Sequence, residues 1–314
     1  GYFVGYMLMV ALAPYLAARV GNRAAIAMGL AVIALSMSGL GASGGYVPAL
    51  LLYSVTGMGS GAANISMMAM LANWFEPRKR GTATGLVIMG NGLGIILSGL
   101  LVPMVVDMSG TLGWRAAWLC LGIVVGAVCI LAASFLRNAP LEKRNPPSSP
   151  SLSALKVHGK YILHLGMIYF LFGATYIIYA TFFVTTLVDE QGMGQGLAGR
   201  FWALVGFFSI FSGPVLGRVS DVFGRKTGLA AAYGVQTVAY VLAAMGASGG
   251  NVAVLYGSVF FFGITAWSVP AIMAAAIADR VGPQKTAQGF SLITCFLAVG
   301  QVAGPVGAGW LAEL

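Results

Sequence analysis

Six side chains that can form hydrogen bonds or present an aromatic face lie within long apolar stretches of the sequence. They are Asn64, Asn91, Tyr176, Tyr179, Trp267 and Gln301. Amides need several hydrogen-bond partners, and phenol and indole rings combine an apolar face with one polar atom. Together, such groups suit a small neutral or weakly polar organic molecule. A dianion would require a fixed cation, and these stretches contain none.

The two asparagines also have a structural explanation. Asn64 and Asn91 could join neighbouring helices through hydrogen bonds worth about 1 kcal/mol. Tyr176 and Tyr179 are three residues apart and would share one face of a helix. Tyr176 lies too near the centre of its stretch for an interfacial aromatic belt, which favours a cavity lining. Three glycine pairs are predicted to be helix-packing contacts: Gly57/Gly61, Gly90/Gly94 and Gly300/Gly304.

The sequence contains no arrangement typical of an enzyme. It has no Ser-His-acid set, no phosphate-binding loop and no His-x-x-Glu-His segment. Its three Cys lack the spacing of metal ligands, so we predict no metal and no cofactor. All eight acids lie at connectors or stretch ends. The stretches therefore lack a central ionisable residue, the usual site for ion coupling in a membrane.

Ten stretches are long and apolar enough to cross the hydrocarbon core as helices. Hydrophobic residues make up 59% of the chain and charged residues only 8%, whereas a soluble protein carries about 25% charged residues. The sequence therefore predicts an all-α membrane protein. The predicted spans are 1–18, 24–43, 46–72, 81–107, 114–136, 161–187, 197–217, 227–247, 251–279 and 284–312.

Lys and Arg are concentrated in alternate connectors, and the remaining connectors hold only Arg115 and Arg200. Basic connectors stay in the cytoplasm, so the first span is predicted to run from outside to inside. Basic residues at span ends would meet anionic lipid headgroups, and their scatter predicts no nucleic-acid partner. The predicted cytoplasmic residues are Arg19, Arg23, Arg78, Lys79, Arg80, Arg137, Lys143, Arg144, Lys156, Lys160, Arg218, Arg225, Lys226, Arg280 and Lys285.

The longest connector, 137–160, divides the ten spans into five and five. It is rich in Pro and Ser, a composition typical of an extended linker. We therefore predict an N-terminal helical bundle at 1–136, a cytoplasmic linker at 137–160 and a C-terminal helical bundle at 161–314.

The two halves also resemble each other. Arg19-Val-Gly-Asn-Arg23 recurs as Val222-Phe-Gly-Arg-Lys226, about 203 residues later, and Gly81-Thr-Ala-Thr-Gly85 resembles Thr286-Ala-Gln-Gly289. Parallel repeats of helices around a central site are a transporter architecture.

The strongest motif is Gly217-Arg-Val-Ser-Asp221-Val-Phe-Gly224-Arg225-Lys226, at the end of the seventh span. Gly224 permits the positive φ of a tight turn, and Arg225 and Lys226 hold that turn in the cytoplasm. Asp221 is unfavourable for the dipole of its own helix, so it needs a partner elsewhere. This pattern resembles the G-x-x-x-D-x-x-G-R-K loop of the major facilitator superfamily.

The resemblance covers the whole chain and implies a two-bundle fold of twelve helices. The predicted spans would be helices 2 to 11, so that the N-terminal bundle lacks its first helix and the C-terminal bundle its last. It implies secondary active transmembrane transport by alternating access, with Trp267 facing the cavity. It also implies a gate in which Asp221 caps the helix beginning near Gly81, with Gly217, Gly224, Arg225 and Lys226. We further predict a monomer in the plasma (bacterial inner) membrane.

Departures from the family pattern carry information. Ala18 stands where the first-half loop has Asp, which predicts one lock rather than two. Tyr53 replaces the Arg of the fourth-helix motif of proton-coupled members and becomes a further candidate substrate contact. The Gly-Pro motif of drug/proton antiporters is missing from 90–96. A coupling proton would therefore need a site in the absent first helix or at Asp107.

Alternatives remain at two levels. The segments 172–182, 212–217 and 300–305 resemble the YbfB-like branch of the family, and a monocarboxylate or oxalate/formate-type branch is the rival. On the same fold, the alternative function is a non-transporting membrane receptor or assembly partner, and a channel is a weaker third option. Central polar residues favour the carrier, because a scaffold does not need them.

Overall fold

A computed structural model describes residues 1–138, 153–249 and 251–312. Every regular element in these ranges is helical. Short 3₁₀ turns at Gly110–Leu112 and Pro283–Lys285 and a π-helical turn at Thr186–Glu190 connect or extend the α-helices. The α-helices are α1 (Tyr2–Val20), α2 (Asn22–Gly41), α3 (Tyr46–Trp74), α4 (Pro77–Ser109), α5 (Gly113–Phe135), α6 (Ser153–Thr185), α7 (Gln195–Phe223), α8 (Arg225–Gly249), α9 (Val252–Gly263), α10 (Ser268–Val281) and α11 (Thr286–Ala312).

The predicted all-α class is confirmed, and each predicted span corresponds to one helix or, at 251–279, to two. Nine helical segments among the described residues are long and apolar enough to cross a membrane. Helix α3 is not one of them although it has 29 residues. Its central part, residues 54–66, is mostly small or polar, which lowers its mean hydropathy.

The continuous span predicted at 251–279 is interrupted at residues 264–267, between α9 and α10. The cause is Pro270, which has no N–H to donate to the carbonyl of Ala266 and whose ring would crowd that carbonyl in an unbroken helix. Pro270 is tolerated in the first turn of α10, where an N–H would have no partner within the helix. The break places Trp267 just before a new helix start.

Backbone packing divides the chain into two compact units. The first comprises Gly1–Trp74, Leu101–Phe170 and Ile277–Val299, and the second comprises Phe75–Leu100, Leu171–Ala276 and Gly300–Leu314. In the first unit, α3 packs against α1 and α2, and α2 packs against α5. In the second unit, α7, α8 and α9 pack against one another around a core of aromatic and aliphatic side chains.

The predicted division at a linker stays a prediction, because residues 139–152 lie outside the described ranges. Helix α6 begins at Ser153, within the predicted linker rather than near residue 161.

The glycine pairs do not all pack as predicted. A Cβ atom at Gly57 would lie 2.0 Å from the carbonyl oxygen of Tyr2, and one at Gly304 would lie 2.3 Å from that of Ala174. These glycines therefore allow helices to touch through their backbones. At Gly90 and Gly94, in contrast, a Cβ atom would meet none of the described residues within 4 Å, so their assignment as packing contacts is wrong.

The charge pattern predicts opposite sides of the membrane for the α7–α8 turn and the loop before α7. In a cysteine-free background, Lys226→Cys is expected to react with an impermeant maleimide only from the cytoplasmic side, and Gly194→Cys only from outside. Both positions are exposed, and the φ of −59° at Gly194 suits any residue. Labelling of residue 194 from the cytoplasm would reverse the predicted orientation.

Candidate gate and substrate site

The side chain of Asp221, near the end of α7, contacts the second turn of α4. Its Oδ1 accepts a hydrogen bond from the backbone N–H of Gly81 at 3.0 Å. Its Oδ2 accepts from the N–H of Thr82 at 2.8 Å and from the Thr82 hydroxyl at 2.7 Å. The carboxylate is only 4% exposed, so these hydrogen bonds to a charged acceptor are largely protected from water.

The predicted contact between Asp221 and Gly81 is present, but the predicted helix start is wrong. Helix α4 begins at Pro77 rather than near Gly81. Proline is favoured at the first helical position, because its missing N–H would have no partner there and its φ already suits a helix. The carboxylate therefore binds N–H groups within the helix rather than an exposed helix end.

Arg225, in the first turn of α8, also binds the carboxylate of Asp221. Its Nη1 forms an ion pair with Asp221 and donates to the Ser220 hydroxyl at 2.8 Å, while its Nη2 donates to the carbonyl oxygen of Pro77 at 2.8 Å. The guanidinium thereby joins α4, α7 and α8. We call the group of Gly81, Thr82, Asp221 and Arg225 the lock.

The remaining predicted gate residues have different positions. Gly224 has a φ of +93°, which confirms the predicted turn conformation and explains why a glycine stands there. Gly21, at the equivalent place in the first half, has a φ of +83°. Lys226 is exposed in the first turn of α8, next to the lock.

Glycines on α4 and α7 bring the two helices into backbone contact beside the lock. A Cβ atom at Gly217 would lie 2.3 Å from the oxygen of Gly81, and one at Gly85 would lie 2.1 Å from the oxygen of Gly213. Further along, a Cβ atom at Gly92 would lie 2.7 Å from the oxygen of Gly206. At Gly81, a Cβ atom would also lie 2.6 Å from both Asp221 Oδ1 and Arg225 Nη1. Only glycine fits these positions without displacing a helix.

In the first unit, the position equivalent to the acid of the lock is apolar. Ala18 stands at the position of Asp221, and Ala13 and Ala17 of α1 are fully buried. The hydroxyl of Ser291 on α11 donates a hydrogen bond of 2.6 Å to the carbonyl oxygen of Val10 on α1. This hydrogen bond joins α1 and α11.

Three of the predicted substrate residues lie together in the second unit. Gln301 Nε2 donates to the hydroxyl of Tyr176 at 2.7 Å. The rings of Tyr176 and Trp267 meet edge to face, with centroids 5.9 Å apart, and Phe172 stacks on Tyr176 at 4.8 Å. These side chains come from α6, from the break before α10 and from α11. We call Tyr176, Trp267 and Gln301 the central cluster.

Ser212 stabilises the break between α9 and α10, and it was not among the residues predicted from the sequence to form the site. The hydroxyl of Ser212 on α7 accepts a hydrogen bond of 3.2 Å from the backbone N–H of Trp267. Ser212, Thr265 and Ser268 are fully buried in this region. The available signal was a serine within an apolar span, since such side chains can satisfy backbone groups freed by a break in a neighbouring helix.

Tyr179 does not join the central cluster, although it is three residues from Tyr176. Its hydroxyl and that of Ser258 share a hydrogen bond of 2.9 Å, and its ring stacks on Phe183 and Phe262. It is 6% exposed and lines a separate, mainly apolar cavity of about 450 Å³ between α6, α8 and α9. A core role accounts for the position of Tyr179, which lies outside the central cluster.

The other candidate contacts are not part of the central cluster. Asn91 is exposed on α4, and Asn64 is half-buried on α3. Tyr53 belongs to an aromatic group in the first unit, where its ring lies 5.5 Å from Tyr2 and 5.7 Å from Trp118.

The chain resembles known transport proteins. A transporter of hexuronates from Bacillus subtilis (strain 168) is 24% identical over 241 residues, which cover 72% of this chain and 55% of the relative. The monocarboxylate transporter 4 of Gallus gallus is 24% identical over 274 residues, or 83% of this chain and 56% of the relative. The chain thus spans about half the length of these curated relatives.

The fold is also similar to a solved structure. The human organic anion transporter MFSD10 superimposes with a TM-score of 0.79 at 18% identity, covering 99% of this chain and 77% of that chain. At this identity the likeness concerns the fold alone. The family model of the Major Facilitator Superfamily matches residues 1–312. The chain is therefore a multi-pass membrane protein that belongs to the major facilitator superfamily.

Proposed function

We propose that the chain forms the body of a secondary active carrier that moves a small organic molecule by alternating access. The observation that carries this proposal is the lock, in which one carboxylate on α7 binds two backbone N–H groups and a hydroxyl of α4. These bonds link the two halves of the sequence at the predicted cytoplasmic end. Breaking them would open that end.

The lock is suited to a reversible step. All of its bonds to α4 come from one carboxylate and one guanidinium, so they can be lost together when α4 and α7 separate. Such a group biases an equilibrium between two conformations by a few kcal/mol at most, and a ligand that binds one conformation better can shift that equilibrium.

The central cluster is the proposed substrate site. Amide, phenol and indole groups around a helix break suit a small neutral or weakly polar organic molecule. The relatives named above are described as carriers of hexuronates and monocarboxylates, which supports a small organic substrate of some kind. We place the carrier in the plasma membrane of a bacterium as a monomer, in contact with lipid.

The proposal is tested by the reactivity of a cysteine at Thr84. Thr84 is 3% exposed on α4, close to the lock, and replacement by cysteine preserves its size. Gly85 is unsuitable, because any side chain there would strike Gly213. With Cys120, Cys129 and Cys295 replaced, Thr84→Cys should react with an impermeant maleimide from the cytoplasmic side at a rate that added ligand changes.

The ligands for this test are D-xylose, D-glucuronate and propionate, each at saturating concentration. A carrier is expected to show a several-fold change of rate with one of them, because the bound ligand shifts the conformational population. A rate that responds neither to these ligands nor to Asp221→Asn would mean that the lock is static, which contradicts alternating access.

A further inference from the structure

Two buried polar atoms of the central cluster have no hydrogen-bond partner among the residues that the structure describes. They are the indole Nε1 of Trp267, a donor, and the amide Oε1 of Gln301, an acceptor. Gln301 is 7% exposed, and both side chains contact Tyr176. A buried polar group without a partner costs about 1–3 kcal/mol, so an apolar residue at either place would be more stable unless a ligand uses the group.

The orientation of Gln301 follows from its single partner. Its Nε2 donates to the Tyr176 hydroxyl at 2.7 Å, which leaves Oε1 as the amide atom that a ligand could use. The indole N–H of Trp267 can only donate. The central cluster therefore offers one donor and one acceptor on side chains that meet the same tyrosine.

We propose that Trp267 Nε1 and Gln301 Oε1 together bind one hydroxyl group of a neutral sugar or polyol. The oxygen of that hydroxyl accepts from the indole N–H, and its hydrogen is donated to the amide oxygen. The ring of Tyr176, which contacts both polar side chains, would lie against the C–H side of the same molecule. This assignment of a substrate class rests on the proposed function of the central cluster.

The pairing disfavours charged groups at this position. A carboxylate can accept from Trp267, but it would set its oxygens against the lone pairs of Gln301 Oε1. An ammonium group can donate to Gln301, but it cannot satisfy the indole N–H. Only a group that both donates and accepts satisfies both atoms, and a hydroxyl does so with one oxygen.

The test measures equilibrium binding of radiolabelled D-xylose, D-mannitol and propionate to the chain in lipid nanodiscs. D-Xylose or D-mannitol is expected to bind, and propionate more weakly. Trp267→Phe keeps the ring and removes the N–H, while Gln301→Met keeps the length and removes the amide. Each should weaken polyol binding about two- to tenfold, the loss of one neutral hydrogen bond. Because both atoms serve one hydroxyl, the double variant should lose less than the product of the single losses.

The control is Gln288→Met, on the same helix as Gln301 and about 20 Å before it along the helix axis. Gln288 is 8% exposed, so this variant removes a buried amide outside the central cluster. It should bind polyol like the parent. Thermal unfolding of every variant shows whether a change in binding reflects folding.

Three results would overturn the proposal. In the first, neither polyol binds. In the second, Trp267→Phe and Gln301→Met both bind polyol as tightly as the parent. In the third, the parent prefers propionate and that preference disappears in Gln301→Met. The last result would mean that the amide presents its NH₂ group. If Thr84→Cys labelling still responds to Asp221→Asn, the failure concerns the substrate class alone. If polyol binds but the labelling rate of Thr84→Cys changes neither with ligand nor with Asp221→Asn, the carrier function is contradicted and the proposed binding site is still supported.

Discussion

Gly85→Ala is expected to force α4 and α7 apart, whereas Gly90→Ala on the same helix is expected to be harmless. A Cβ atom at Gly85 would lie 2.1 Å from the oxygen and 2.3 Å from the carbonyl carbon of Gly213. Backbone atoms cannot turn aside as a flexible side chain can, so the helices must separate. Overpacking of this kind costs about 1–3 kcal/mol. The conformation in which α4 and α7 are in contact should be destabilised by that amount relative to one in which they are apart.

The expected result is a five- to roughly 150-fold shift toward the open conformation, since about 1.36 kcal/mol is a factor of ten. It is measured as faster labelling of Thr84→Cys from the cytoplasmic side. Gly90 has nothing within 4 Å of its Cβ position, so Gly90→Ala should leave the labelling unchanged. It should raise stability slightly, because alanine is favoured over glycine inside a helix by about 1 kcal/mol. Equal effects of the two changes would contradict the close contact of α4 with α7.

Asp221→Asn is expected to weaken the lock without removing its shape. The amide keeps one acceptor for Gly81 or Thr82, but it loses the charge that Arg225 neutralises and that strengthens the remaining hydrogen bonds. A hydrogen bond to a charged group contributes about 1.5–3 kcal/mol and one between neutral groups about 0.5–1.5 kcal/mol, so the loss of the charge costs roughly 0.5–2 kcal/mol. The ratio of open to closed conformations should therefore rise about two- to thirtyfold.

Thr84→Cys labelling measures this shift too, with Asp189→Asn as the matched control. Asp189 is exposed in the π-helical turn after α6, so the same chemical change there should have no effect on the lock. Lock opening should also leave the melting temperature nearly unchanged, because only one contact between helices is weakened. Unaltered labelling in a folded Asp221→Asn variant would remove Asp221 from the gate.

Several features of this protein follow from its sequence alone. Apolar stretches of about 20 residues can satisfy their backbone groups in lipid only as helices, and the structure has a helix or helix pair at each of them. The turn at Gly224 follows from the lack of a side chain at a position that needs positive φ. The need of Asp221 for a partner follows from its place at the end of its own helix, where an acid is unfavourable. The location of that partner near Gly81 follows from the resemblance to the family pattern.

Only the tertiary structure decides which polar side chains meet. Helical periodicity places Tyr176 and Tyr179 on one face, but that face is wide enough to serve two neighbours. Tyr176 meets Trp267 and Gln301, whereas Tyr179 packs toward α8 and α9. Asn91 is a polar residue within an apolar stretch, which favours a buried contact. It is nevertheless exposed, because the face of α4 that packs against α7 is formed by other positions.

The glycines illustrate the same limit. Gly85 and Gly90 lie in similar apolar surroundings along the sequence, yet one touches the backbone of α7 and the other faces open space. Small residues spaced three or four apart are predicted to share one face of a helix. That spacing does not indicate which helix packs against the face. The neighbour of each helix is set by the packing of all helices together, so the lock and the central cluster were determined by tertiary structure, while the helices that carry them were determined by local sequence.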